Sequence, residues 1–330
     1  LDPVLVTVVE ADPRSLATAR ERWRRLGVQP QEDARVRLLC AFTDQALLPM
    51  LAEELAGEHG ERPVVVHPLC ADLWRPHCPE AAGLIEDFLH HRRQAARQES
   101  ELRANELRNR QRLETARPVD ILRGAWGSDA VLVCGAGPGL LDALRLVKHH
   151  SPMRIVAVST ALPTLAELGI TPDAVVATDP SPLLAADIVD VAGLESIPLV
   201  VFPGTSSLLL AAWPGPLVLA LPQGPGLRRT TWGEGQPGHL VSGCGTVAAP
   251  ALDFAAMVSG GPLFVAGVDL AADTQAYAPG VRRPTDLPRP DFAYSRRRMG
   301  ELVLRMASAG RPVMALGERP TWLPRTEERP

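Results

Sequence analysis

The stretch Val131-Leu-Val-Cys-Gly-Ala-Gly-Pro-Gly139 constrains the fold of this chain more than any other segment. Its first four residues are apolar and rich in valine, the composition of a buried strand, and a helical pattern follows over Leu140–His150. Strand, glycine turn and helix form the opening unit of a doubly wound α/β sheet, in which ligands bind beyond the carboxyl ends of the strands. Gly135, Gly137 and Gly139 let the backbone approach a ligand closely, and Pro138 fixes the turn between them. The helix start behind them offers N–H groups and a positive dipole end, which suits a phosphate. No glycine stands at the sixth position, so the turn is not the dinucleotide fingerprint and does not specify NAD. The competing reading is a tight βα turn with no ligand.

The pattern repeats along the chain. Strands are expected at Ala130–Cys134, Arg154–Val158, Ala174–Ala177, Leu199–Phe202, Leu217–Leu221, Leu263–Ala266 and Pro312–Leu316, with helices at Leu162–Leu168, Val247–Val258 and Ser295–Ala309. Nearer the start, Val4–Val9 reads as a strand, Asp12-Pro13 as a helix cap, and Arg14–Leu26 as a helix stopped by Gly27. Val36–Cys40, Gln45–Leu55 and Pro63–His67 continue as strand, helix and strand. The fold class is therefore α/β: two Rossmann-like three-layer units with mostly parallel sheets, joined by a helical connector. The expected boundaries are 1–80 for the first unit, 81–122 for the connector, 123–317 for the second unit and 318–330 for a disordered tail. An acidic strand end, here Glu10, usually marks the second strand of a dinucleotide-type fold, so a first strand is expected upstream of Leu1. A solvated strand end is the equal alternative.

Composition narrows the function. Lys148 is the only lysine among 34 cationic residues and lies inside a predicted helix, which excludes a P-loop NTPase. A net charge of -4 gives no general attraction to nucleic acid or membrane. Five cysteines without a CxxC pair fit a reducing compartment and no zinc ribbon. No apolar run is long enough to span a bilayer, and a cytoplasmic location is expected. Between Arg92 and Arg112 seven arginines face three glutamates, which reads as a solvated helix face. Asn105 and Asn109 share a face of that helix and point to a polar neighbour.

Candidate ligand residues gather at predicted strand ends. Asp173 precedes one strand and Asp179 follows it, and Asp269 ends another; all three count among the ligand residues, and the strand-end pair Asp179 and Asp269 is suited to a ribose or to a metal-bridged phosphate, or to helix caps. Gly204 and Thr205 end a further strand. Ser242, Gly243, Gly245 and Thr246 open the helix at Val247 and offer a second anion site. Cys244 has no base beside it and reads as a small filler, and His239 as a solvated loop residue. Tyr277–Pro290 is long enough for a lid.

The ordered set Gly135-Ala-Gly-Pro-Gly139, Ala157-Val-Ser-Thr-Ala-Leu162, Leu168-Gly-Ile-Thr-Pro-Asp173 with Asp179, Ser242-Gly-Cys-Gly-Thr246 and Gly267-Val-Asp-Leu270 resembles the 6-hydroxymethylpterin diphosphokinase MptE-like family. That family includes the motility-associated-factor glycosyltransferases of flagellated bacteria. The resemblance covers about 123–276 and adds Ser159 and Thr160 to the implied nucleotide-binding residues. It implies a nucleotide or nucleotide-sugar ligand and two enzyme activities. The archaeal diphosphokinases use ATP with Mg2+ and typically carry Asp-Leu-Asp where this chain has Asp179-Pro180-Ser181, so Asp179 is the one metal ligand implied. The bacterial branch is implicated in attaching nonulosonic sugars to flagellin, and the Gly245-Thr246 helix start is closer to it. A glycosyltransferase modifying flagellin or surface glycoconjugates, with no required cofactor and Asp179 in the catalytic role, is the favoured expectation. A Mg2+-dependent diphosphokinase and a non-catalytic nucleotide-binding scaffold are the alternatives. Gly139 stands where the family more often has serine, which removes one hydroxyl from the implied phosphate site.

Overall fold

A computed structural model describes residues 6–28, 36–56, 70–147, 153–223, 237–270, 277–281 and 292–324. The chain divides into two compact units, Leu1–Gln94 and Ala95–Pro330, and the division falls inside one long helix, α4 (Pro79–Leu113). The expected connector at 81–122 falls on this helix and the residues after it, and the division between the units lies within the helix.

In the first unit β1 (Val6–Glu10) pairs in parallel with β2 (Val36–Cys40), with Glu10 opposite Cys40. Between them runs α1 (Pro13–Leu26), started as its sequence demands. Asp12 accepts a hydrogen bond from Ser15 N at 2.7 Å, Pro13 fills the first turn, and Gly27 ends the helix at φ 63°. α2 (Asp44–Ala56) and α3 (Cys70–Trp74) follow. The expected strand at 63–67 lies outside the described residues. Glu10 is more than a solvated strand end. Its Oε1 accepts from Ala11 N, Asp12 N and Trp74 Nε1 at 2.8–3.1 Å, so the carboxylate organises the turn into α1.

The second unit is built on an eight-stranded parallel sheet. Its strands in chain order are β3 (Arg117–Pro118), β4 (Val131–Cys134), β5 (Arg154–Val158), β6 (Ala174–Ala177), β7 (Leu199–Val201), β8 (Leu217–Leu219), β11 (Leu263–Ala266) and β12 (Val313–Ala315). Across the sheet the order is β12-β11-β4-β5-β6-β7-β8-β3. Every residue of β4 is fully buried, as expected for a parallel strand covered on both faces. The helices are α5 (Leu140–Val147), α6 (Leu162–Glu167), α7 (Ser207–Ala212), α8 (Ala248–Val258) and α9 (Ala293–Ser308). α8 packs on β4, β5 and β6, and α9 on β12. β9 (Leu221–Gln223) and β10 (His239–Val241) form a separate two-stranded parallel pair.

Two local readings are corrected. β3 contains Pro118 and is two residues long, which hides it from any strand pattern, yet it forms the edge beyond β8. The segment from Glu318 is not a disordered tail throughout: Trp322 and Leu323 are buried, and Trp322 Nε1 donates to Val268 O at 2.7 Å. Their apolar bodies need the shelter that the sheet edge provides.

Candidate functional site

From β4 the chain passes to β5 on one side, while β11 joins β4 on the other. The strand order reverses there, and the crevice at the carboxyl ends of β4 and β11 is where a doubly wound sheet binds ligands. Cys134 lies opposite Ala266, which brings Gly135 beside Gly267. Gly135 N donates to Ala266 O at 2.8 Å, and Gly137 N donates to Gly267 O at 2.6 Å. Gly139 N donates to the Asp269 carboxylate at 2.8 Å. The glycines are required by this packing: a Cβ on Gly135 would strike the Gly267 carbonyl, and one on Gly137 would strike Asp269. Over the turn, Ala278 N donates to Ala136 O at 2.8 Å. Of the expected lid, 277–281 follows this edge and 282–290 lies outside the described residues.

Asp269 thus places a carboxylate at the helix start where the sequence reading put a phosphate. Burial raises its pKa, the Gly139 N–H opposes that rise, and Glu318 adds to it. A raised folded pKa means that the group's stabilising contribution is complete below its unfolded pKa and is lost as pH rises through the folded value. The ionised side chain is therefore a cost at neutral pH. Asp269→Asn keeps an oxygen for Gly139 N–H and removes the charge. In urea unfolding it should match or exceed the native protein at pH 7, with any advantage shrinking at acid pH. A clear loss of stability at pH 7 would reject this account.

The second part of the edge lies at β6 and β7. Asp179 Oδ1 accepts from Ser181 N at 2.7 Å, and Asp179 O accepts from Ser206 N at 3.0 Å. α4 locks these loops from outside. Asn105 Nδ2 donates to Pro180 O (2.9 Å) and Gly204 O (3.3 Å), and Asn109 Nδ2 donates to Pro203 O (2.9 Å) and Thr205 O (2.7 Å). Both asparagines are buried, which is the polar role that their shared face implied. Gly204 faces Leu102 so closely that a Cβ would meet its Cδ2 at 2.7 Å. Thr205 is fully buried and its hydroxyl is used internally, donating to Ala177 O and accepting from Phe202 N, both at 3.0 Å. Its role there is to shape the loop.

At the end of β5, Ser159 is buried and donates to the carboxylate of Asp187 at 3.1 Å, a residue that no sequence motif marked. Thr160 beside it is half-buried. Ser242, Gly243, Gly245 and Thr246 lead from β10 into α8. Gly243 and Gly245 have positive φ (80° and 69°), and Thr246 Oγ1 accepts from Ala248 N at 3.3 Å. α8 ends at the opposite edge, where Ser259 Oγ donates to Asp129 O at 2.5 Å just before β4, so its start points toward the carboxyl edge. Ser242 and Thr246 are half-buried and Gly245 is exposed. Burial raises the pKa of Cys244 and pushes Cys134 up to about 12, so neither thiol is primed as a nucleophile.

Asp173 is the exception among the sequence-selected residues. It precedes β6 and therefore sits at the amino edge, away from the crevice. Its carboxylate accepts from Arg154 Nη1 and Ile155 N, each at 2.8 Å, while Arg154 Nε reaches Asp129 at 3.0 Å. Asp173 is a structural ion-pair residue and not a ligand residue, because in a parallel sheet the residue before a strand lies at the edge opposite the one after it.

An eight-stranded parallel sheet with glycine, serine, threonine and aspartate collected at its carboxyl edge defines a doubly wound α/β protein. The sequence model of the 6-hydroxymethylpterin diphosphokinase MptE-like family matches residues 104–275, and the chain belongs to that family. No curated protein matches the chain. Among solved structures it is similar to a MAf glycosyltransferase from Magnetospirillum magneticum AMB-1, at 16% identity and a TM-score of 0.56. That match covers 97% of this chain and 53% of the other, so the chain spans about half the length of that protein. Among the described residues no helix is long and apolar enough to cross a membrane.

Proposed function

We propose that the chain binds a nucleotide-sugar at the carboxyl edge and acts as a glycosyltransferase of the motility-associated-factor type. Flagellin or another surface glycoconjugate is the acceptor in this reading. The observation that carries it is the setting of Asp179. Mg2+ transferring phosphoryl groups calls for several oxygen ligands, usually including more than one carboxylate. Here Asp179 is followed by Pro180 and Ser181, and Ser181 N–H occupies one of its two oxygens. Asp173 stands at the other edge, and among the described residues no group of three or more His, Cys, Asp or Glu is arranged to hold a metal ion. Among the described residues the arrangement favours a glycosyltransferase over a Mg2+ diphosphokinase centre.

A glycosyl transfer needs less from the protein. The nucleotide leaves as an anion, and oriented N–H groups can stabilise it. Asp269 occupies Gly139 N–H. This favours the Gly245–Thr246 entry to α8 as the place for the leaving phosphate. Asp179, with its remaining oxygen, orients a ribose or acceptor hydroxyl. Support for the class also comes from the family membership and from the glycosyltransferase nature of the similar structure.

The test is calorimetry or thermal shift with CMP, UDP, ATP and GTP, in Mg2+ and then in EDTA. The native protein is compared with Asp179→Asn. A true ligand at about 100 times its Kd stabilises by about 2.7 kcal/mol. The expected result is pyrimidine-nucleotide binding that ignores EDTA and is weakened about tenfold or more by Asp179→Asn, the loss of a charged hydrogen bond. ATP binding that disappears in both EDTA and Asp179→Asn would transfer the chain to the diphosphokinase reading. No binding of any nucleotide would overturn the nucleotide reading altogether, and nucleotide binding without transfer would favour the scaffold.

A further inference from the structure

In the first unit one carboxylate has more acceptor capacity than the fold uses. Glu10 closes β1 and lies opposite Cys40, the last residue of β2. Its Oε1 accepts from Ala11 N at 2.9 Å, Asp12 N at 2.8 Å and Trp74 Nε1 at 3.1 Å. A carboxylate offers about four acceptor sites, roughly two on each oxygen, so these three donors fill Oε1. Among the described residues nothing donates to Oε2, and Oε2 is open to solvent. The turn into α1 draws on Oε1 alone, and a glutamine would serve that turn as well.

The surroundings narrow what such an oxygen meets. β1 and β2 are parallel, so Glu10 and Cys40 stand together at the carboxyl edge, where α/β sheets bind ligands. An open carboxylate oxygen repels phosphate and accepts from O–H or N–H donors. Two residues past Cys40, Phe42 is 40% exposed, an aromatic ring left partly outside the core of this unit. Cys40 and Cys70 are half-buried within reach of the Glu10 charge. Burial, and then that charge, pushes the Cys70 thiol up to about 11, and burial raises Cys40 as well. Both thiols are thus neutral, weakly polar walls and not nucleophiles.

We propose that the carboxyl edge of the first unit binds a nucleoside, with Glu10 Oε2 accepting from the vicinal 2′ and 3′ hydroxyls of its ribose and Phe42 stacking on its base. Two hydroxyl donors match the roughly two acceptor sites that Oε2 keeps. The Trp74 N–H and the two turn N–H groups hold the carboxylate in place before a ligand arrives, so little side-chain freedom is lost on binding. Stacking on an aromatic ring tolerates any base, so the ribose carries the selectivity. The site lies wholly within the first unit. It is separate from the Asp179 loops and does not rest on the transferase reading.

The experiment is calorimetric titration of the full chain with adenosine and, separately, with uridine, which carry the ribose without a phosphate. The Asp179→Asn chain is the reference, so that the nucleotide site proposed in the second unit is weakened throughout. It is compared with Asp179→Asn/Glu10→Gln and Asp179→Asn/Phe42→Ala. Glu10→Gln keeps Oε1 for its three N–H donors and puts an amide that cannot accept in place of Oε2. We expect at least one nucleoside to bind the reference. Its 2′-deoxy form should bind at least about tenfold more weakly, and so should the nucleoside itself to the Glu10→Gln chain. Phe42→Ala should weaken binding about fivefold or more. Urea unfolding of the Glu10→Gln chain should match the reference. If that chain does not fold, the deoxy comparison and Phe42→Ala, at an exposed position, give the reading. Failure of both nucleosides to bind, equal binding of the deoxy form, or equal binding by the Glu10→Gln or Phe42→Ala chain overturns the proposal. Binding by the native chain that is lost in Asp179→Asn assigns the nucleoside to the second unit and overturns it too.

Discussion

Gly135→Ala should destabilise the 95–330 unit by about 3 kcal/mol or more. The new methyl group would meet the backbone carbonyl of Gly267 and, at 2.9 Å, Val268 Cγ2. A flexible side chain can swing away from such a clash, but a paired strand cannot: β4 and β11 are locked in register from Val131 to Cys134. The internal comparison is Gly169→Ala. Gly169 has φ +66° and nothing within 4 Å of its added Cβ, so only backbone strain of about 1–2 kcal/mol is at stake. Urea unfolding of both variants checks the ranking. Gly135→Ala costing no more than Gly169→Ala would mean that the β4–β11 contact yields, and that the turn's glycines serve a ligand and not packing.

Asn109→Ala should cost about 1–3 kcal/mol, since it strands two buried carbonyls, those of Pro203 and Thr205. Asn109→Asp is the sharper test. It keeps the shape but replaces the two-hydrogen donor by an acceptor aimed at two carbonyl oxygens, so it should be worse than alanine. Asn105→Ala should loosen Pro180 and Gly204, which frame Asp179, and should weaken nucleotide binding more than it weakens folding. Chemical denaturation and ligand titration on the same samples separate the two effects. Aspartate tolerated at 109 as well as asparagine would show that the amide donors are not what holds these loops.

The alternation of apolar runs, turns and helical periodicity was enough to determine the α/β class and most strands of the second unit. A parallel strand buried on both faces must be apolar throughout, so β4, β5, β6 and β11 announce themselves in sequence. The same alternation identified which loops follow strands, and hence the carboxyl-edge positions of Gly135–Gly139, Asp179, Gly204 and Asp269. It also showed that Asn105 and Asn109 share one face. What those groups touch is not a property of local sequence. Strand order decided that Asp269, 130 residues from Gly139, would take its N–H. Strand direction sent Asp173 to the far edge. A two-residue strand such as β3 has too few residues to show any period, and burial of Trp322 depends on a sheet edge laid down elsewhere in the chain. Short-range pattern carries propensity and facing, while partners across long sequence separations are chosen by sheet order and close packing. Only the tertiary structure therefore decided which of the candidate residues stand free for a ligand and which are already bound to the protein.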